Sequence, residues 1–227
     1  MDNQEIDFDN YAEKYDELIT SNTSFFEEDT SYFARYKVSI FKNLITNNPV
    51  NILEFGCGTG RNLYYLKKAF PKSNISGCDI SQKSLSIAAK HNPNIELFNS
   101  NNHNKSLNNH FDAIFIACVF HHIKPKLWHK TISEIYNYMN KDASLIIFEH
   151  NPLNPVTRKL VNDCPFDKDA VLLRRSKTFD LMEKANLKNI TSQYCLFLPE
   201  KLSKYSKIEK YISWLPLGGQ YWVKGIK

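Results

Sequence analysis

From residue 49 onward, apolar runs of strand length alternate with stretches whose apolar positions recur at helical spacing. That alternation predicts a βαβα order and a parallel sheet. Ile52-Leu53-Glu54-Phe55 is the first run, and residues 61–69 carry the helical pattern that follows it. Pro71 breaks that pattern, and a second short strand is expected over Asn74 to Ser81, then a helix over 82–91. Ile95 to Phe98 reads as a third strand. Phe111 to Val119 is nearly continuous in apolar residues, which suits a central parallel strand buried on both faces. A helix over 126–139 leads to a fifth strand, Ala143 to His150, which Asn151-Pro152-Leu153-Asn154-Pro155 stops abruptly.

The two ends of the chain read differently. Residues 1–48 carry a helical pattern rich in aromatics, and Tyr11, Tyr15 and Leu18 fall on one helix face. Such a face either packs over the sheet edge or closes as a lid. Towards the other end, Asp180 to Ala185 reads as a helix, Asn189 to Phe197 and Gln220 to Ile226 as strands, and the aromatic-rich stretch between them, Lys201 to Leu215, as helical. With no internal repeat or low-complexity linker, residues 1–227 are expected to form a single domain. Its parts are a helical cap (1–48), a core (49–150), an insertion (151–180) and a closing helix and hairpin (181–227).

The chain's 227 residues, 42% of them hydrophobic and 23% charged, suffice for one α/β core. No apolar run approaches the ~20 residues that span a bilayer, and the first residues are polar and acidic, unlike a secretory signal. A cytoplasmic location is expected. Cys57, Cys78, Cys118, Cys164 and Cys195 are scattered without a C-x-x-C pair, so neither a disulfide framework nor a metal site is indicated. A net charge of +5 spread along the chain agrees with a mild preference for anionic small molecules. No basic tract interleaved with aromatics points to nucleic acid.

The chemistry concentrates after the first strand, in Glu54-Phe55-Gly56-Cys57-Gly58-Thr59-Gly60. Alternate glycines let the backbone approach a ligand closely, and the helix that follows offers unpaired N–H groups. A dinucleotide fingerprint would place a third glycine where Arg61 stands, and Glu54 would repel a pyrophosphate while accepting from a cationic ligand. The segment resembles motif I of the class I S-adenosylmethionine-dependent methyltransferases. In that family the glycine loop carries the methionine end of the cofactor, whose ammonium and sulfonium groups are cationic.

The resemblance extends over roughly residues 51–150 and implies roles position by position. Glu54, Gly56, Cys57, Gly58, Gly60 and Asn62 would form the cofactor turn. Asp79, about 20 residues beyond the turn, would accept from the ribose hydroxyls, with Ile80 beside the adenine; alone, Asp79 would also suit a helix N-cap region. Asn101 stands where the family commonly has an Asp facing the adenine amino group, and an amide oxygen still accepts there. Phe111 to Ile123 resembles motif IV, placing Ala117 and Cys118 beside the cofactor. Residues 9–16 resemble the family's N-terminal lid helix, so Tyr11 and Tyr15 would close over the sulfonium. Lys37 could meet the cofactor carboxylate, although a surface position is the more expected role for it.

His121, His122 and His150 are the candidate bases. In the insertion, which resembles one found over the cofactor cleft of bacterial methyltransferases, Asn151, Arg158 and Asp167 join His150 as polar candidates for acceptor contact. The implied fold is a seven-stranded, mostly parallel sheet in the order 3-2-1-4-5-7-6, with helices on both faces, an antiparallel C-terminal strand and a helical N-terminal lid. The implied reaction is methyl transfer to the oxygen or nitrogen of a small acceptor such as a sugar or sugar-containing metabolite. RNA or protein methylation, and cofactor binding without chemistry, are the alternatives; an NAD-dependent oxidoreductase is disfavoured by Glu54 and Arg61.

Overall fold

A computed structural model of the chain describes residues 31–102 and 107–227. Tyr11 and Tyr15 lie outside the described residues. Seven strands are seen among the described residues: β1 (Asn51–Phe55), β2 (Asn74–Asp79), β3 (Glu96–Asn99), β4 (Phe111–Ala117), β5 (Met139–His150), β6 (Lys188–Cys195) and β7 (Gln220–Ile226). The α-helices among the described residues are α1 (Tyr32–Leu44), α2 (Arg61–Ala69), α3 (Gln82–His91), α4 (Trp128–Tyr138), α5 (Pro155–Asp163), α6 (Arg175–Lys184) and the four-residue α7 (Glu209–Ile212). The strands form one sheet in the order β3-β2-β1-β4-β5-β7-β6. Strands β1 to β5 pair in parallel, and β7 runs antiparallel to both neighbours. This is the sheet expected from the sequence.

Alternation along the central strands explains their unbroken apolar character. Ile114 and Ile116 of β4, with Leu53, Leu145 and Ile147, face a core completed by Trp128, Ile132 and Ile135 of α4 and Leu181 and Met182 of α6. Ala113 and Phe115, with Ile52, Ile146 and Phe148, face the opposite core, completed by Val38 and Phe41 of α1 and Leu63 and Leu66 of α2. Both faces are buried, which accounts for the nearly continuous apolar runs. Each such fully buried Ile, Leu or Phe contributes about 1.5–3 kcal/mol, which makes the central strands a firm base for whatever their ends carry.

The element boundaries differ from expectation where local geometry intervenes. Pro125–Leu127 form a 3-10 turn, so α4 starts at Trp128 rather than at 126. Strand β5 starts at Met139: that residue pairs with Phe111, the register then slips, and Ser144 pairs with Ala113. Helix α6 starts five residues ahead of Asp180. Strand β6 ends at Cys195 because Leu196 turns into the left-handed region at φ 60°. Between Lys201 and Leu215 the chain is chiefly 3-10, with α7 as its only α-helical turn.

The carboxyl ends of β1 and β4 lie side by side, although the chain leaves β1 towards β2 and leaves β4 towards β5. Open α/β sheets bind ligands at such a reversal. All five cysteines are free. No helix among the described residues is long and apolar enough to cross a membrane.

Candidate functional site

A cavity of about 770 Å³ opens at that reversal, large for a small-molecule site. Its floor is the β1–α2 turn. There the N–H groups of Gly56 and Cys57 both donate to the Cys78 carbonyl, at 2.8 and 2.9 Å, which folds the turn back on β2. Gly58, at φ +52°, lines the cavity, and a Cβ built on it would meet nothing within 4 Å. Gly60 serves another purpose. It caps α2 in the left-handed region, and a Cβ there would come within 2.6 Å of Asn92 Nδ2 and 2.9 Å of Ala88 Cβ. Gly60 therefore lets α2 start against the end of α3, and it does not line the cavity.

Asp79, at the end of β2, is oriented by backbone. Its Oδ2 accepts from Gly58 N at 2.8 Å and its Oδ1 from Ser81 N at 2.9 Å. The carboxylate thus faces the cavity in a fixed pose beside half-exposed Ile80. The cap of α3 is Ser81, whose Oγ accepts from Ser84 N at 3.0 Å, so Asp79 steadies the cap residue rather than capping the helix itself. Asn101, Ala117, Cys118, Cys57, Asn62 and the buried Lys37 also line the cavity. Cys118 takes a left-handed conformation at φ 59° as β4 ends, with Gln220 Nε2 donating to its sulfur at 3.4 Å. A non-glycine residue held there marks a locally strained turn.

Glu54 sits behind this surface, 1% exposed, and does not itself line the cavity. Its Oε1 accepts from Asn62 Nδ2 at 2.7 Å, while Oε2 has no hydrogen-bond partner. Burial pushes its carboxyl up to about 8, and nearby Asp79 adds to the rise, against the opposing effects of Asn62 and Lys37. An open glycine cradle and an oriented carboxylate fit a ligand with a diol, and a cationic head beside Asn62 would draw the buried Glu54 carboxyl towards its charged form.

The opposite end of the cavity gathers the three histidines. Phe120–His122 form a 3-10 turn directly after β4, clamped by Trp128 Nε1, which donates to the Phe120 and Ile123 carbonyls at 2.9 Å each. Glu149, fully buried near the end of β5, accepts from Val119 N and Phe120 N through Oε1, and its Oε2 lies 2.6 Å from His121 Nδ1. The insertion folds over this end as α5 and a 3-10 turn, Pro165–Asp167, and Val171 N donates to the His121 carbonyl at 2.8 Å. Asp167 Oδ1 stands 3.6 Å from His121 Nε2 and 3.4 Å from His122 Nε2.

The three rings titrate in opposite directions. Burial opposes charge on His121, but the carboxylates of Glu149 and Asp167 outweigh it and raise that imidazole to about 10. Burial, reinforced by the charge on His121, lowers His122 to about 3 and His150 to about 4. His121 is therefore held between two carboxylates that favour its protonated form, which makes it a poor base towards an acceptor. His122 and His150 are neutral and line the cavity.

Two insertion candidates have structural or solvent-facing positions instead. Asn151 is buried, donates to the Pro216 and Gly218 carbonyls and accepts from Leu153 N, so its amide holds the β5 exit to the loop before β7. Arg158 is exposed on α5, away from the cavity. Asp167 does reach the cavity. Sequence reasoning missed Glu149 and Gln220; a charged residue closing an otherwise apolar central strand was the available signal for Glu149.

Residues 52–142 match the family model described as a methyltransferase domain. A demethylmenaquinone methyltransferase from Thermotoga maritima is 30% identical over 65% of this chain and 61% of its own length. The chain thus spans less than two thirds of that curated relative. Among solved structures, a SAM-dependent methyltransferase from T. maritima aligns over 97% of this chain and 98% of its own, with a TM-score of 0.68 at 18% identity. A phosphoethanolamine N-methyltransferase from Haemonchus contortus, in complex with S-adenosyl-L-methionine, aligns over 100% of this chain and 61% of its own, with a TM-score of 0.66 at 14% identity.

Proposed function

We propose that this chain, which carries a methyltransferase domain over residues 52–142 and the class I fold, transfers a methyl group from S-adenosylmethionine to a small acceptor. The observation that carries the reading is Asp79, pinned by the Gly58 N–H beside an open glycine turn. Asp79 would hold the ribose hydroxyls, Ile80 and Asn101 would flank the adenine, and the turn at Gly56 to Gly58 would pass under the methionine chain. Lys37 would meet the carboxylate and the Asn62–Glu54 pair would answer the ammonium. When bound, the cofactor supplies a methyl carbon already activated by its sulfonium, so alignment at ~3–3.5 Å matters more than acid–base help.

The acceptor enters from the histidine end. Its walls are largely apolar, from Val119, Ile123, Leu160 and Val161, and its polar groups converge at His122, His150 and Asp167. That combination suits an uncharged hydroxyl-bearing molecule, and a sugar or sugar-containing metabolite is the class we favour. His150 leaves the end of β5 into the cavity, and we assign it the acceptor proton. Residues of α1 and α5, among them Phe33, Ala34, Leu160 and Val161, line the cavity from above. Methyl-labelled S-adenosylmethionine, offered with small-metabolite, RNA and protein fractions, tests the reading: label should appear in hydroxyl-bearing small molecules, and label confined to RNA or protein contradicts it. We place the protein in the cytoplasm.

A further inference from the structure

We propose that His121, His122 and Asp167 bind a divalent first-row transition-metal ion, of which Zn²⁺ and Co²⁺ are representative. The three side chains present one ligand atom each, all within 4.8 Å of one another. Asp167 is 8% exposed, and its Oδ1 is buried with no hydrogen-bond partner. That oxygen faces His121 Nε2 at 3.6 Å and His122 Nε2 at 3.4 Å. A carboxylate bonded directly to an imidazolium would close to ~2.7–2.9 Å. Donor atoms that share an ion tetrahedrally at ~2.0–2.2 Å stand about 3.3–3.6 Å apart, and the two Asp167–histidine separations match that spacing.

The surroundings are those of a metal site as well. Glu149 already accepts two backbone N–H groups through Oε1, so it is an anionic acceptor, and the proton on the 2.6 Å contact belongs to His121 Nδ1. A metal ion that displaces the Nε2 proton would then meet the Nε2 lone pair on the side that faces Asp167. A carboxylate behind a ligating histidine fixes the ring and strengthens it as a donor. The framework is stiff: Trp128 clamps the histidine turn and Val171 ties the insertion to the His121 carbonyl. His122 lines the cavity, so a fourth coordination position would open into it. Two imidazoles and a carboxylate favour zinc, iron, cobalt or nickel over magnesium or calcium, which prefer all-oxygen shells.

The metal site stands on these contacts alone. Its use, drawing an acceptor oxygen to the open position and easing loss of that oxygen's proton to His150, rests on the methyl-transfer reading. The test is Co²⁺ titration of the chelator-treated full chain, with no methyl donor present. One equivalent should bind with visible ligand-field absorption, and Asp167→Asn and His122→Gln should each weaken binding at least tenfold while circular dichroism stays native. Glu149→Gln should weaken it by about 10–100-fold. Replacing the exposed His91, His110 and His129 together should leave the bound equivalent in place. Absence of stoichiometric uptake, or equal uptake by wild type and both ligand variants, overturns the site and leaves a proton-bridged network. Should Asp167→Asn fail to fold, His122→Gln, at the half-open edge of the cluster, decides alone. S-adenosylhomocysteine binding measured separately distinguishes failure of the metal site from failure of the methyl-transfer reading.

Discussion

The Gly58 N–H and the Asp79 carboxylate are joined by a 2.8 Å hydrogen bond, so the glycine turn and the ribose acceptor we propose at Asp79 are set by one contact. Removing the carboxylate unpins the turn as well as deleting an acceptor. Asp79→Ala should weaken binding of S-adenosylhomocysteine by about 1–3 kcal/mol. Titration calorimetry on the two proteins checks this, and unchanged affinity counts against the ribose role.

Gly58 and Gly60 look alike in sequence and should separate on substitution. Both need φ > 0, which costs a residue with a Cβ roughly 1–2 kcal/mol. Gly58→Ala adds only that strain, yet its methyl enters the cavity, so cofactor affinity should fall about tenfold or more with a small loss of stability. Gly60→Ala also drives a Cβ into Asn92 and Ala88, so overpacking should cost about 1–3 kcal/mol more. Paired melting and binding measurements should show one variant defective mainly in binding and the other mainly in folding.

Glu54 gives a pH dependence with a definite sign. Its carboxyl is raised from 4.5 to about 8, first by burial. Between those values the native chain keeps a proton that the unfolded chain releases, so stability falls as pH rises through that interval, by on the order of 1 kcal/mol per pH unit, and levels off above about 8. Glu54→Gln should flatten this slope, making the variant comparatively more stable at pH 8 than at pH 5. Denaturant melts across the range test it; parallel curves for the two proteins would contradict the raised carboxyl.

His150→Ala should lower turnover by about 10²–10⁴-fold while leaving S-adenosylhomocysteine affinity little changed. Single-turnover rates at saturating donor, with calorimetry alongside, separate the two effects. A loss confined to donor binding would remove His150 from the acceptor's side of the cavity.

The strands could be read from the sequence because their signals are local: strand-length apolar runs, Pro71 and Pro152 as breaks, and a motif whose glycines, Asp79 and apolar β4 keep their spacing. Their order in the sheet came with the resemblance to the family. The glycine turn, Asp79, Ile80, Ala117 and Cys118 do meet at one cavity. Roles that depend on the third dimension were harder. Gly60 shares the motif's spacing but meets α3 rather than the cavity. Asn151 and Arg158 had suitable chemistry, but one amide is consumed by backbone carbonyls and the other side chain faces solvent. The Glu149–His121–Asp167 chain joins His121 to residues 28 and 46 positions further along, through the ends of β4 and β5 and the insertion, and no spacing rule announces it.

The most direct test is a calorimetric titration of the purified chain with S-adenosylhomocysteine and, separately, with NAD. One saturable site for S-adenosylhomocysteine and far weaker binding of NAD is the predicted result; no binding of S-adenosylhomocysteine, or tighter binding of NAD, would contradict methyl transfer as this protein's chemistry.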